Sequence, residues 1–262
     1  MLFSRILREY KENYKVAIGF AFLAILMPLF TLLGNVSFSG GTVYWEYSSE
    51  LSILNIAIGL IFFTIFTWFY AMLVSAIILS VRRNLSKIKV EYYLEDMIKK
   101  FTLRIFWFYF LSGIIYTLIA TIVITTTTEI STMTYLVNAL FLITSMFLIF
   151  VPQAIVIEEQ GLRHALLENF EFIFKKPNQF LLIIFTGTII LFVVGLIEYA
   201  FDMLAIEFFT GRYISLLLVL IFVLPFIEIL KTYVFMLKYG LVAGVESLEK
   251  HVKKKAPGLK NI

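Results

Sequence analysis

The chain has 262 residues, 61% of them hydrophobic and 15% charged, with a mean hydropathy of +0.93 and a net charge of +4. A soluble domain is nearer half apolar and a quarter charged, and a core formed by a chain of this length cannot hide the excess, so the composition excludes a water-soluble fold. Cysteine is absent, which excludes disulfides, thiolate catalysis and cysteine-based metal sites.

An amphipathic stretch opens the chain: Phe3, Ile6, Leu7 and Tyr10 share one helical face, with Arg5, Arg8, Glu9, Lys11 and Glu12 around the rest. The first apolar run, residues 16–34, is as long as a bilayer crossing, which takes about 20 residues. Its length, with no clean Ala-x-Ala site after it, reads as a span and not a cleaved signal. Tyr44, Trp45 and Tyr47 follow as an aromatic belt. The second run covers 51–81. Leu94, Met97, Ile98 and Phe101 then repeat the amphipathic pattern against Glu91, Glu95, Asp96, Lys99 and Lys100, and lead into a third run, 105–124. The fourth is 133–157. A third amphipathic stretch sets Leu162, Leu166, Phe170, Ile173 and Phe174 against Arg163, Glu168, Glu171 and Lys175. It leads into the fifth run, 180–201, and the sixth is 213–239. Helix is expected throughout, because the strands of a membrane barrel alternate and are much shorter.

Of the 22 Lys and Arg residues, all but Arg212 fall in the N-terminus, in 82–104, in 156–178, or from Lys231 onward. The other three connections hold Glu46, Glu50, Glu129, Glu198, Asp202 and Glu207. Positive charge stays on the cytoplasmic side, so the expectation is an all-α integral membrane protein of the cell membrane with six transmembrane helices, both termini cytoplasmic, and three amphipathic helices at the cytoplasmic interface. The whole chain, 1–262, reads as one transmembrane domain. An interfacial helix followed by two spans occurs three times, about 1–81, 82–157 and 158–240, as a threefold parallel repeat before a basic tail, 241–262.

Glu228 and Lys231 are the most informative polar residues, because ionisable groups inside a span are costly. They are three apart, hence on one helical face, and Pro225 removes a backbone donor just before them. The pair reads either as the lining of a polar path or as Lys231 snorkelling to headgroups with Glu228 as its counter-ion. An inner-face motif, Pro152, Glu158, Glu159 and Gly161, follows the fourth run. Its carboxylates read either as an acid/base or metal site or as charge on the first turn of the next amphipathic helix. Glu198 and Asp202 form an acidic rim or a cation attractor. His164 and His251 are too far apart in the chain to form a metal site. Asn55, Thr64, Thr67, Asn138, Thr186 and Thr188 are in-span polar groups suited to interhelical bonds. Gly240 and Gly244 have close-packing spacing, and Lys253, Lys254 and Lys255 suit an anionic membrane surface.

The stretch from Phe150 to Phe180 resembles the six-helix membrane domain found fused to some bacterial glycerophosphodiester phosphodiesterases, and that domain's stand-alone relatives. The resemblance is carried by Pro152, Glu158, Gly161, Ala165 and Leu166, with Glu168 where those proteins often have Ser. It implies a membrane anchor or accessory of lipid metabolism and carries over no catalytic residue; the phosphodiesterase barrel is missing from these residues. No phosphate-binding loop, nucleophile elbow or His-Glu-x-x-His is present. The reading is therefore a non-enzymatic protein, without metal or cofactor, that binds lipid or another hydrophobe or assists a partner handling one. Its partners would be membrane lipids and another protein or a second copy in a homo-oligomer, with no nucleic acid. The alternative is a small transporter or channel using Glu228 and Lys231. An intramembrane enzyme would require Glu158, Glu159 and Glu228 to converge.

Overall fold

The computed structural model of the protein describes residues 2–24, 26, 34–38, 43–47, 53–86, 92–126, 130–203 and 209–238. The described residues are nearly all helical. In chain order they form α1 (Leu2–Glu12), α2 (Tyr14–Gly19), strands β1 (Gly34–Phe38) and β2 (Val43–Tyr47), α3 (Ile53–Leu85) and α4 (Leu94–Met97). A π-helical turn, Ile98–Thr102, runs on into α5 (Leu103–Thr126), followed by α6 (Ile130–Phe147), α7 (Val151–Ile157), α8 (Leu162–Lys175) and α9 (Pro177–Met203). Next come α10 (Phe209–Leu218), a second π-helical turn (Val219–Val223) and α11 (Leu224–Lys238).

Five helical stretches are long and apolar enough to cross a membrane: Ile53–Leu85, Leu94–Val123, Tyr135–Ile157, Pro177–Phe201 and Ile214–Leu237. The first expected run begins as a shorter apolar helix, Tyr14–Ala24, and 27–33 lie outside the described residues. Of the most apolar stretch of α9 only 11% is buried within the protein. Phe185 and Phe192 on this helix are 69% and 66% exposed, a surface suited to hydrocarbon and not to water. The protein is a membrane protein.

Between the first two apolar runs the chain forms an antiparallel hairpin, with Gly34 opposite Tyr47 and Phe38 opposite Val43. The strand-favouring residues of β2, Val43, Tyr44, Trp45 and Tyr47, account for it, and β2 lies against α5.

The core sits where α3, α5, α7 and α11 meet. Phe66, Tyr70, Val74, Tyr109, Ile155 and Leu230 are all buried there. A satellite cluster of Tyr116, Ala120 and Val137 ties α5 to α6, and the Tyr116 hydroxyl donates to the Val137 carbonyl at 2.6 Å.

Prolines disturb two of the long helices, and at each an amphipathic helix supplies a hydrogen bond. Pro152 cannot donate to the Leu148 carbonyl, which takes the Val151 amide instead at 3.2 Å. That shift frees the Phe147 carbonyl and the Phe150 amide. Asn169 of α8 satisfies both: Nδ2 donates to Phe147 O at 2.5 Å and Oδ1 accepts from Phe150 N at 2.9 Å. Phe150 packs against Phe172 of the same helix, with ring centroids 4.4 Å apart and the rings tilted by 56°. Pro225 has no amide to offer the Ile221 carbonyl one turn before it, and the Tyr10 hydroxyl of α1 donates to that carbonyl at 3.0 Å. The face of α8 turned inward is thus Ala165, Asn169, Phe172 and Ile173. Of the stripe expected from the sequence, Ile173 is buried, whereas Phe170 is 37% and Phe174 73% exposed.

Candidate functional site

Glu228 and Lys231 share one face of α11 and are both fully buried. Lys231 Nζ donates to Glu228 Oε1 at 2.6 Å, and Gln153 Nε2 of α7 donates to Glu228 Oε2 at 2.8 Å. The Thr232 hydroxyl donates to the Glu228 carbonyl at 2.7 Å. Each carboxylate oxygen therefore has a donor, the condition under which a low-dielectric interior tolerates an ion pair. Tyr70 and Tyr109, with ring centroids 5.0 Å apart, are buried in the same core. Gln153 Oε1, on the side chain that grips Glu228, and Thr67 Oγ1 of α3 are among the buried polar atoms without a hydrogen-bond partner among the described residues. The cluster is a polar island in an apolar core. It has the chemistry to hold water or a proton.

A second constellation forms at the C-terminal end of α3. Glu159 has φ of 57°, the left-handed conformation that usually falls to glycine after a helix. The turn is held from three sides. Arg82 donates to the Val156 carbonyl at 2.7 Å and to Glu159 Oε1 at 3.1 Å, and the Tyr92 hydroxyl donates to the same carboxylate oxygen. Arg104 reaches the carbonyls of Glu159 and Gln160 at 3.2 and 3.0 Å. Burial alone would raise the Glu159 carboxyl. The hydrogen bonds from Tyr92 and Arg82, with the charges of Arg82 and Lys100, outweigh it and hold the group below its ordinary range. Gly161 begins α8 in extended backbone, where a Cβ would meet nothing within 4 Å. No side chain caps that helix start.

Glu158 is bonded by Gln160 Nε2 at 2.6 Å, so the three carboxylates Glu158, Glu159 and Glu228 have separate partners. Among the described residues no three His, Asp or Glu side chains gather to hold a metal ion. Thr64 and Thr188 bond their own helices, to Leu60 O and Ile184 O, and Asn138 is exposed. His251, Gly240, Gly244 and the lysines 253–255 lie outside the described residues, as does the side chain of Asp202.

Three cavities flank these sites. An apolar groove of about 650 Å³ separates α1 from α9 and α11, lined by Phe3, Leu7, Phe185, Thr186, Ile189 and Phe226 among others. One of about 210 Å³ lies between α6, α9 and α11, and one of about 390 Å³ beside the end of α3. Neither Glu228 nor Lys231 lines any of the three.

Sequence reasoning passed over Gln153, Asn169, Arg82 and Arg104, and placed Tyr10 on an apolar stripe without its hydrogen-bonding role. Gln153 had a readable signal, an isolated amide inside a long apolar run. Comparison with family models, curated proteins and solved structures finds no match.

Proposed function

We propose that the protein is a non-enzymatic, multi-pass protein of the cell membrane that binds the acyl chain of a membrane lipid between α1, α9 and α11, as an accessory in lipid homeostasis. The observation that carries this reading is the 650 Å³ groove, within the roughly 300–1,000 Å³ of small-molecule sites. Its walls are apolar and half open: Phe3 and Leu7 on one side are 50% and 52% exposed, and Phe185 and Ile189 on the other are 69% and 47% exposed. The medium around such residues in a bilayer is lipid chain, which makes an acyl chain the natural occupant. The reading includes six spans with both termini cytoplasmic, supported by the charge asymmetry of the connections. It also includes the threefold repeat and the kinship with the membrane domain of glycerophosphodiester phosphodiesterases, supported by the placement of α1, α4 and α8 and by the motif around Pro152. Native mass spectrometry of the gently extracted protein tests it. A stoichiometric lipid, lost in an Ile189→Trp variant that fills the groove, is the expected result; a lipid-free protein overturns it.

A second reading, a small transporter, is favoured by the unpartnered Gln153 Oε1 beside the buried Glu228–Lys231 pair, since such an acceptor invites water into the bundle. It requires flux across liposomes that Glu228→Gln and Lys231→Met abolish.

A further inference from the structure

The 390 Å³ cavity at the end of α3 differs in kind from the acyl groove. Its wall is apolar on one side, through Ala76, Leu79 and Met97, and polar on the other, through Ser80, Arg83 and Tyr92. Both halves belong to the place where an apolar helix of 33 residues ends in Arg82 and Arg83, as at a boundary between hydrocarbon and headgroups.

The two arginines have different employment. Arg82 is committed to Glu159 and the Val156 carbonyl. Arg83, its neighbour, makes no hydrogen bond or ion pair among the described residues, and its side chain lines the cavity. Lys100 lies 5.5 Å from the centroid of the Tyr92 ring, on the same aromatic wall, and adds a second positive charge there. The Tyr92 hydroxyl is occupied by Glu159 and Ser80 by Asn13; of the lining donors that remain, the Tyr93 hydroxyl and the Arg83 guanidinium, only the guanidinium is charged, a fork matched to phosphate oxygens. We propose that this cavity binds the phosphate of an anionic phospholipid on Arg83, with the lipid's apolar part against Ala76, Leu79 and Met97.

The site is independent of the acyl groove, so the two can fail separately. The test is a lipid titration of the full-length protein followed by native mass spectrometry, comparing phosphatidylglycerol with phosphatidylcholine of the same chains. The expected preference for phosphatidylglycerol is about fivefold, the worth of roughly one basic residue at a membrane surface. Arg83→Gln should abolish it, Arg83→Lys should retain part of it, and Arg8→Gln, at an exposed arginine already paired with Glu12, should leave it unchanged. An unaltered preference in Arg83→Gln overturns the proposal. So does displacement by millimolar inorganic phosphate, which would make the occupant a soluble anion. If Arg83→Gln fails to fold, Ala76→Phe fills the apolar half without removing a charge; phosphatidylglycerol binding undiminished in that variant overturns the proposal equally. Ile189→Trp, by contrast, should empty the groove and leave the preference intact.

Discussion

The Tyr10 hydroxyl donates to the Ile221 carbonyl at 3.0 Å, standing in for the backbone N–H that Pro225 lacks. Residues 211 apart in the chain are thereby joined one turn before that proline. Stacking of Tyr10 on Phe222, with centroids 5.9 Å apart, holds the phenol in place. Tyr10→Phe keeps the ring and deletes the donor. It should cost about 1–2 kcal/mol, measured as a lower unfolding midpoint in mixed micelles, while the Pro225→Ala, Tyr10→Phe double variant should recover most of it.

Asn169 performs the same repair at Pro152 and serves two groups with one amide. Asn169→Leu leaves the Phe147 carbonyl and Phe150 amide without partners. The expected loss is about 2–4 kcal/mol, from two unsatisfied backbone groups. Asn169→Asp keeps the acceptor only and should fall between. Equal stability of all three proteins would show that the break does not need the amide.

The buried pair gives a sharper contrast. Removing one partner strands a charge, so Glu228→Gln or Lys231→Met alone should destabilise by about 3–5 kcal/mol. Replacing both by apolar residues, as in Glu228→Leu with Lys231→Met, should cost much less, because the desolvation of the two ions goes with them. Chemical denaturation of the three variants in one micelle system decides it. If the double variant is stable but inactive in liposome flux, transport gains over a structural role for the pair.

Acid should act on two carboxyls with opposite sign. Glu159 sits below its ordinary value of 4.5, so its contribution is complete above that value and is lost as pH falls through the depressed one. Glu9 is 2% exposed. Burial raises it, against an opposing hydrogen bond from Asn84, so its charge opposes folding at neutral pH and ceases to do so as pH falls through the raised value. Glu9→Gln should therefore stabilise the protein at pH 7 and flatten the stability profile just above 4.5. Glu159→Gln should flatten it below. Melting scans between pH 3 and 7 read both.

The bilayer as solvent and the five long apolar helices were legible in the amino-acid order, because hydropathy accumulates along a local segment and needs no partner. So was the cost of Glu228 and Lys231, which follows from their chemistry alone. What the local pattern could not say is which way each amphipathic helix faces. In a bilayer an apolar side chain is stable both against the core and against lipid, so the stripe holding Phe170 and Phe174 did not separate inside from outside; the buried polar side chain of Asn169 did. Gln153 meets Glu228 across 75 residues, and Tyr10 meets Ile221 across more than two hundred. Pairings of that range depend on how the helices pack, and only the assembled bundle decides which polar group repairs which break.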